Sequence, residues 1–447
     1  MMTKEELIFK YDTPGPRYTS FPAYPHWKDT PSTEEWMGQI LLKRDLGAEF
    51  DLYVHIPFCR SLCIYCGCSR MITRDLSLAE RYVDALIKEW NQYKRRVGYF
   101  PVKSIHLGGG TPTFLPPELL EKLIKALKGE QAIEWGAVEV DPRVTSKEHC
   151  KVLVENGFKK FSLGIQDFDE KVQRNINRVQ PFEMVELLTN DLRSMGVESL
   201  NFDIIFGLPG QSLETIKNTF EKVSKLRPDT IAFYSYAHVP WKIKSQKALE
   251  KIGLPSAELK RSLYECGKEC LEKIGYHELG MDHFSLKEDQ LYKAYERGEL
   301  KRSFMGYTAK KGECLIGLGC SSISSTGFGY VQNEKEVPDY LNKIENDQMA
   351  YVYGHTMTYQ DRIIDQTIQA LMCQGSTPLE RVLLNLEKEH ARKVMETYEE
   401  MMRDGILKME DSKLEVLDQG KPFIRNICMA LDPNLTHSPK EQFSRTI

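Results

Sequence analysis

Short apolar runs alternate with amphipathic stretches over the first half of the chain. The run FDLYVHIPF at 50–58 predicts a strand, and apolar residues at helical spacing over 78–95 predict a helix. Later strands are predicted in KSIHL, AVEV, KKFSLGIQDF, SLNFDIIFGLPG and TIAFYSYAHVP, with helices in PELLEKLIKAL and over 146–156 and 182–195. Such alternation is typical of parallel βα units, so we predict an α/β fold built on an incomplete (β/α)6 TIM-like barrel with a lateral opening for a large substrate.

The pattern changes beyond residue 345. DRIIDQTIQALMC and LERVLLNLEKEHARKVMETYEEMMRDG predict helices, and LKMEDSKLEVLD predicts a hairpin with a polar turn. Prolines interrupt the N-terminal residues, as in TPGPRYTSFPAYP, and predict an extended segment. We therefore expect an N-terminal extended segment at 1–35, a partial barrel at 36–345, and a small, mostly helical, winged C-terminal domain at 346–447.

Charge and hydropathy argue against several functions. The chain has 447 residues and a formal net charge of −4, which gives no electrostatic footprint for nucleic acid or an anionic membrane surface. Winged domains often bind DNA, but the acidic balance favours a lid or substrate-holding role. The first residues do not resemble a secretory signal peptide, because no apolar run follows a positively charged segment. No uncharged apolar stretch approaches the roughly 20 residues that span a bilayer. We expect a soluble, cytoplasmic protein.

Four cysteines stand close together in CRSLCIYCGC at 59–68, although the whole chain has only eleven. In a reducing cytosol, such a cluster indicates metal ligands or catalytic groups rather than disulfides. Three interpretations compete: buried small hydrophobic side chains, structural zinc, or an iron–sulfur cluster. Zinc usually takes a second CxxC or histidine pair, and none follows nearby. Cys59, Cys63 and Cys66 supply three thiolates, which would leave one iron of a four-iron cube open for chemistry.

Polar residues lie at the ends of three successive predicted strands. Glu139, Gln166 and Asp203 each lie within or just beyond an apolar strand pattern, where burial is costly without a partner. Each one alone could equally cap a loop or pair internally, but three at successive strands favour a shared pocket. Their oxygens suit ribose hydroxyls and an α-amino group, and the guanidinium of Arg178 could bind a carboxylate.

The cysteine loop resembles that of the radical S-adenosylmethionine superfamily, which has CxxxCxxC with an aromatic residue, here Tyr65, before the last cysteine. The resemblance implies a 4Fe-4S cluster whose reduction cleaves bound S-adenosylmethionine and releases a 5′-deoxyadenosyl radical. GGGTP at 108–112 lacks the GK[ST] of a Walker loop. Missing side chains there let backbone groups approach a ligand, and the turn resembles the superfamily segment that receives the methionine end of S-adenosylmethionine.

At the family level, the chain resembles the oxygen-independent coproporphyrinogen III oxidases nearly from end to end. The motifs are GPRYTSFP at 15–22, YVHIPFCRSLCIYCGC at 53–68, GGGTPT at 108–113, EVDPR at 139–143, GIQDF at 164–168, INR at 176–178, NFDIIFGLP at 201–209, YAHVP at 236–240, GMDHF at 280–284, RNICM at 425–429 and QFSR at 442–445. Several of these motifs belong to the family rather than to the superfamily, so the resemblance is specific.

The resemblance implies roles for individual positions. Cys59, Cys63 and Cys66 would hold the cluster, and Tyr53 joins them as a catalytic residue. Cys68 matches an extra cysteine of the family and should not be a ligand, because a fourth thiolate would close the open iron. Positions that match the first S-adenosylmethionine site are Tyr53, Tyr65 (often Phe in relatives, with the aromatic face kept), Gly109, Glu139 and Ile323. Positions associated with a second S-adenosylmethionine are Gly110, Thr111, Gln166, Arg178, Asp203 and Ala237.

The implied reaction is an oxidative decarboxylation. The radical would take a hydrogen from the β-carbon of a propionate of coproporphyrinogen III, and loss of carbon dioxide and one electron would leave a vinyl group. A second round would give protoporphyrinogen IX. The implied partners are this substrate and a reductant such as flavodoxin or ferredoxin, without nucleic acid or membrane, and we expect a monomer. Basic residues should face the substrate carboxylates, but the sequence does not identify them.

Two related activities are alternatives. A family of haem-binding chaperones shares the barrel and the CxxxCxxC loop, but usually has Phe where Cys68 stands and lacks the RNICM and QFSR ending. A related radical enzyme opens haem rings. Cys68 and the ending of this chain favour the oxidase over the chaperone.

Overall fold

Seven parallel strands form the centre of the main sheet in the computed structural model, which describes residues 2–309, 312–437, 443 and 445. In chain order they are β1 Phe50–Ile56, β2 Val102–Gly109, β3 Trp135–Val140, β4 Phe158–Gln166, β5 Ser199–Phe206, β6 Thr230–Ser235 and β7 Cys314–Leu318. Their order in the sheet is β7–β1–β2–β3–β4–β5–β6, and each neighbouring pair is parallel. The first six confirm the predicted incomplete barrel, and β7 is a further parallel strand that the sequence did not predict.

Antiparallel strands extend both edges of this parallel sheet. His283–Ser285 and then His277–Gly280 follow β6, whereas Ile323–Ser325, Gly329–Asn333 and Tyr351–Thr356 continue from β7. The two outermost strands do not pair with each other in the described part of the chain, so the barrel stays open. The sheet continues to residue 356, past residue 345, where the sequence placed the end of the barrel.

Helices pack on the outer face of the parallel strands. Phe50, Leu52, Val54 and Ile56 of β1 are fully buried in the core that these helices share with the sheet. Burial of side chains of this size contributes about 1.5–3 kcal/mol each. The helices between successive strands are Leu76–Val97, Pro117–Lys128, Lys147–Glu155, Glu170–Asn175, Phe182–Ser194 and Leu213–Leu226, and Ala257–Lys273 follows β6. The loops after the strands therefore gather at the carboxyl end of the barrel, where barrel enzymes place their chemistry.

A second hydrophobic core belongs to the C-terminal region. Its helices are Tyr359–Gln374, Glu380–Asn385, Lys388–Arg403 and Ile424–Met429, and its strands are Ser376–Pro378, Leu407–Glu410 and Lys413–Val416. These strands form a three-stranded wing with Lys413–Val416 in the middle. Within the predicted helical segment LERVLLNLEKEHARKVMETYEEMMRDG, two helices are separated at Leu386, which adopts an extended backbone conformation. In the QFSR motif, Gln442 and Ser444 lie outside the described residues.

The N-terminal segment is not extended throughout. Thr3 and Glu6 form a reciprocal capping box that starts a helix over Lys4–Tyr11, and a second helix covers Thr33–Asp45. Leu7 and Tyr11 belong to the core of the C-terminal region, so the first helix packs there. The capping box is a local signal that the proline-based prediction overlooked.

Several short elements complete the fold. They are the strands Phe58–Cys59, Met71–Ile72, Lys301–Ser303 and Gly306–Thr308, the helices Lys247–Glu250, Gln290–Glu296 and Val337–Glu345, and the 3₁₀ turns Tyr24–His26, Pro112–Phe114, Lys244–Gln246, Asp418–Phe423 and Pro433–His437. None of the helices in the described ranges has both the length and the apolar character needed to cross a membrane.

Candidate active site

The loop after β1 carries the four clustered cysteines to the carboxyl end of the barrel. Ile64 N donates to Ile176 O at 3.0 Å, and Asn177 Nδ2 donates to Leu62 O at 2.7 Å, which fixes the loop against the turn after helix Glu170–Asn175. All four side chains line one cavity of about 200 Å³, and none of them is in a disulfide. The cysteines found by their spacing are therefore neighbours in space, with their thiols free.

The four thiols have different surroundings. Cys59 Sγ lies 3.4 Å from Thr111 Oγ1, and burial raises the pKa of the Cys59 thiol to about 11. A hydrogen bond with Cys68 lowers the pKa of Cys66 to about 6 and raises that of Cys68. Cys63 is 7% exposed and faces two guanidinium groups, described below. Cys68 lines the same cavity as the other three cysteines.

The glycine turn after β2 lies directly against the cysteine loop. A Cβ on Gly110 would stand 2.6 Å from Pro57 O and 3.0 Å from Cys59 Sγ, and Gly110 N donates to Ile56 O at 2.8 Å. Gly109 has φ +114°, a conformation that favours glycine. Side chains are therefore excluded at the place where the turn meets the cysteines.

An arginine pair shares a buried carboxylate beside Cys63. Asp141 accepts hydrogen bonds from Arg178 Nη1 at 3.0 Å and Arg143 Nη2 at 2.6 Å, and both guanidiniums also reach Cys63 Sγ, at 3.5 and 3.3 Å. Burial alone would raise the pKa of Asp141, but the two arginines outweigh it and hold that pKa below its usual value. Asp141 and Arg143 were not among the site residues predicted from the sequence. Their place directly after β3 is the signal that could have identified them.

Arg178 also ties this carboxylate to β4. Its Nε and Nη2 donate to Gly164 O at 3.0 and 2.6 Å. A Cβ on Gly164 would lie 2.8 Å from Arg178 Nη2, so the glycine makes room for the guanidinium. Gln166, at the end of the same strand, has φ +69°, an uncommon conformation for a residue with a side chain. The last residues of β4 therefore combine a glycine that makes room for Arg178 with an uncommon backbone conformation at Gln166.

Two further carboxylates face the cavity from β3 and β5. Glu139 Oε2 accepts from Gly109 N at 3.1 Å, which joins β3 to the glycine turn. Asp203 accepts from Asn201 Nδ2 at 2.8 Å and from Ser162 Oγ at 3.2 Å. Burial, together with the nearby charge of Glu139, raises the pKa of Asp203 to about 7.

Asp203→Asn is expected to change how stability depends on pH. Because the pKa of Asp203 rises from 3.8 to about 7 on folding, ionisation costs the folded protein stability as pH rises through this window. Relative to the wild type, the variant should gain about 2–3 kcal/mol of stability between pH 5 and pH 8, because the unfolded carboxyl is already ionised at pH 5 whereas the folded one ionises only near pH 7. Urea unfolding at both pH values measures the difference. An equal difference at the two values would contradict the raised pKa.

All but three of the predicted site residues line this cavity; those brought together are Cys59, Cys63, Tyr65, Cys66, Gly109, Gly110, Thr111, Glu139, Gln166, Arg178 and Asp203. The other three do not line it. Tyr53 Oη lies 3.1 Å from His55 Nδ1 beside the glycine turn. Ala237 O accepts from Gln246 Nε2 at 3.2 Å, and the same amide donates to Tyr65 O. Ile323 begins the strand after β7 and packs against Trp27, Tyr330 and Met357.

A second, larger cavity of about 1020 Å³ adjoins the first inside the barrel. On β4, Lys160 and Ser162 line the larger cavity, and Ser162, Gly164 and Gln166 line the smaller one, so the two meet at Ser162. TIM barrels are usually filled by branched apolar side chains at such positions. The polar inward face of β4 instead lines both cavities.

The residues present fit a metal–sulfur centre bound by the cysteine loop. Three free thiols at this spacing open on one cavity, and the glycine turn leaves space beside them. No group of three or more His, Cys, Asp or Glu side chains among the described residues is arranged to hold one metal ion. A mononuclear zinc site requires several side chains that converge on one ion. In a four-iron cube each protein ligand binds a different iron, so its ligands need not converge on one point.

Comparison with known proteins gives a consistent result. A model of the Radical SAM superfamily matches residues 53–223. The oxygen-independent coproporphyrinogen III oxidase of Pseudomonas aeruginosa is 34% identical over 99% of this chain and 98% of its own length, and that of Helicobacter pylori is 34% identical over 99% of both chains. The structure of coproporphyrinogen III oxidase from Escherichia coli, described as a radical SAM enzyme, superposes with a TM-score of 0.89 at 31% identity, over 96% of this chain and 98% of that one. The chain therefore belongs to the oxygen-independent coproporphyrinogen III oxidases, within the radical SAM superfamily.

Proposed function

We propose that this protein converts two propionate side chains of coproporphyrinogen III to vinyl groups by oxidative decarboxylation, giving protoporphyrinogen IX in anaerobic haem biosynthesis. Full-length similarity to oxidases of that name supports the substrate. The observation that carries the proposal is that Ser162 lines both the cysteine-lined cavity and a larger cavity inside the same barrel. Reactive centre and substrate would thus meet within one chain.

We propose that Cys59, Cys63 and Cys66 hold a 4Fe-4S cluster. When bound, the cluster and S-adenosylmethionine supply a 5′-deoxyadenosyl radical. Around them, the chain's own groups orient and enclose the ligands. Gly109 and Gly110 keep side chains away from the cysteine loop, and Arg143, Arg178 and Asp141 together form a group of net positive charge next to Cys63. Arg178 and Asp141 are both buried, and their hydrogen bonds fix their positions.

Two S-adenosylmethionine molecules in one site are part of the proposal. Tyr53, Tyr65, Gly109, Glu139 and Ile323 would contact the first, and Gly110, Thr111, Gln166, Arg178, Asp203 and Ala237 would contact the second. The cysteine-lined cavity of about 200 Å³ is smaller than the roughly 300–1,000 Å³ of ordinary ligand pockets. Two nucleotides would therefore extend past Ser162 into the larger cavity. Equilibrium dialysis with labelled S-adenosylmethionine measures the stoichiometry, and one molecule per chain would contradict this part.

Three cations line the larger cavity without a salt bridge to any residue in the described ranges: Lys160, Arg302 and Arg362. Arg302 is buried, with its Nε donating to Arg17 O at 3.2 Å and its guanidinium over the ring of Tyr307. Arg362 Nε is buried without a hydrogen-bond partner. Buried cations without a counter-ion are costly, and carboxylates are their preferred partners. We propose that Lys160 and Arg302 bind propionate carboxylates of the substrate.

Lys160→Met and Arg302→Met are each expected to raise the KM for coproporphyrinogen III about tenfold, since a hydrogen bond to a charged group is worth about 1.5–3 kcal/mol. The change in kcat should be smaller. Lys159→Met is the matched control, because Lys159 is the neighbouring residue and pairs with Glu198 at 3.0 Å. Quenching of coproporphyrin III fluorescence measures binding without turnover. Unchanged KM and unchanged binding in both variants would contradict the assignment.

We also propose that the protein works as a monomer in the cytoplasm and receives electrons from a carrier such as flavodoxin or ferredoxin. All eleven cysteines are free, which suits a reducing compartment. The cysteine loop, the strand ends and both cavities come from one chain, so the site needs no second copy. Sedimentation of the reconstituted protein measures its oligomeric state, and a stable dimer would contradict the monomer.

The decisive experiment is an anaerobic assay with reconstituted protein, a chemical reductant, S-adenosylmethionine and coproporphyrinogen III. The expected products are carbon dioxide and the divinyl tetrapyrrole. A fully clustered protein that makes neither would refute the proposed activity. Stable haem binding in an absorbance titration, without decarboxylation, would indicate a haem carrier instead, and linear tetrapyrrole products would indicate a ring-opening enzyme.

A further inference from the structure

A lysine-rich surface lies beside the cysteine loop. The segment at 241–253, WKIKSQKALEKIG, follows β6 and contains four lysines and one glutamate, although the whole chain carries a net charge of −4. Lys242, Lys244, Lys247 and Lys251 are all exposed. None of them forms a salt bridge with any residue that the structure describes. We call these lysines, together with Trp241, the lysine surface.

Trp241 adds an exposed apolar side chain to this surface. Its side chain is 66% exposed, which is unusual for a tryptophan. Exposed aromatic residues surrounded by charges are typical of binding sites for other proteins, because aromatic side chains are frequent energetic centres of interfaces. The mechanism proposed above has no use for this residue.

The lysine surface is attached directly to the loop that carries the cysteines. Ser245 Oγ donates to Ile64 O at 3.1 Å, and Gln246 Nε2 donates to Tyr65 O at 2.9 Å. Ile243 Cδ1 lies 3.1 Å from the position that a Cβ on Gly67 would occupy. Gly67 and Cys68 are themselves exposed. A protein seated here would therefore lie next to the outer side of the cysteine loop.

We propose that the lysine surface docks a small acidic electron-carrier protein that reduces the metal centre of the cysteine loop. The reduced carrier gives up one electron and leaves oxidised by one electron, and the centre accepts that electron. Positive charge opposite an acidic partner steers the encounter, and Trp241 supplies the apolar contact. The inference rests on the proposed function, which requires a one-electron reductant at this loop.

Flavodoxin is the probe, and its binding to the reconstituted protein is measured by titration calorimetry at low and high salt. The triple variant Lys242→Glu, Lys244→Glu, Lys247→Glu should raise the Kd at least about tenfold and flatten its salt dependence, because like charges replace complementary ones. Trp241→Ala should also raise the Kd about tenfold, as expected for an interface aromatic. The matched control is Lys287→Glu, Lys388→Glu, Lys413→Glu, which makes the same change in net charge at exposed lysines elsewhere in the chain.

Several outcomes would overturn the inference: no flavodoxin binding by the wild type, unchanged binding by the lysine variant, or an equal loss in the control. Loss of binding to vesicles of anionic lipid, with flavodoxin binding unchanged, would assign the surface to membranes and also overturn it. Turnover with a chemical reductant separates this inference from the proposed function. The lysine variant should keep turnover with the chemical reductant while losing turnover driven by flavodoxin. The measurement of flavodoxin binding tests the docking surface even if the protein decarboxylates no substrate.

Discussion

Cys63→Ser is expected to remove the iron–sulfur centre and all detectable product while leaving the barrel folded. Cys63 is the most enclosed of the four clustered cysteines, and its sulfur faces Arg143 and Arg178. A serine hydroxyl can accept hydrogen bonds from the same guanidiniums, so the local packing should survive at a cost of about 1 kcal/mol or less. It does not supply the thiolate that iron–sulfur clusters require. Iron and sulfide analysis, anaerobic turnover and urea unfolding measure the three properties separately.

Cys68→Ser is the matched control for this variant. Cys68 lines the same cavity and interacts with Cys66, so it tests whether proximity alone makes a ligand. The cluster should persist in this variant with nearly unchanged iron content. An intact, active cluster in Cys63→Ser would refute the ligand assignment. Loss of the cluster in Cys68→Ser would make Cys68 a ligand and would leave no open iron of the kind proposed.

The parallel strands of the barrel could be predicted where each had its own local signal. β1 to β6 are apolar runs that end in cysteine, glycine, proline or polar residues and alternate with amphipathic helices. β7 has the short sequence CLIGL and follows short strands and helices rather than a βα unit. Its parallel pairing with β1 joins residues more than 250 positions apart in the chain. No local pattern specifies such a contact.

The candidate site was predictable for a similar reason. Parallel strands end at the same edge of the sheet, so Glu139, Gln166 and Asp203 had to be near one another once the strands were placed. The cations of the larger cavity were not predictable in this way. Lys160 lies near the start of β4, and Arg302 lies in the short hairpin of Lys301–Ser303 and Gly306–Thr308. Only the tertiary fold brings them to a common cavity.

Gly110→Ala is expected to lower turnover at least about 100-fold, because displacing reactive groups by about 1 Å can have an effect of this size. The added Cβ would lie 2.6 Å from Pro57 O, 2.7 Å from Pro57 C and 3.0 Å from Cys59 Sγ. Two of these atoms are backbone atoms that cannot rotate away, so the glycine turn and the cysteine loop must separate. The strain should cost about 1–3 kcal/mol of stability, typical of overpacking.

Gly38→Ala is the control for this effect, since a Cβ on Gly38 would meet no heavy atom within 4 Å. Gly38 lies inside helix Thr33–Asp45, where alanine is favoured over glycine by about 1 kcal/mol. This control should be as active as the wild type and slightly more stable in urea. In Gly110→Ala, equilibrium dialysis should show weaker binding of S-adenosylmethionine, and iron analysis should show how far the cysteine loop is disturbed. Wild-type turnover and wild-type nucleotide affinity in Gly110→Ala would show that the turn tolerates a side chain and that its contact with the cysteine loop is not required for the reaction.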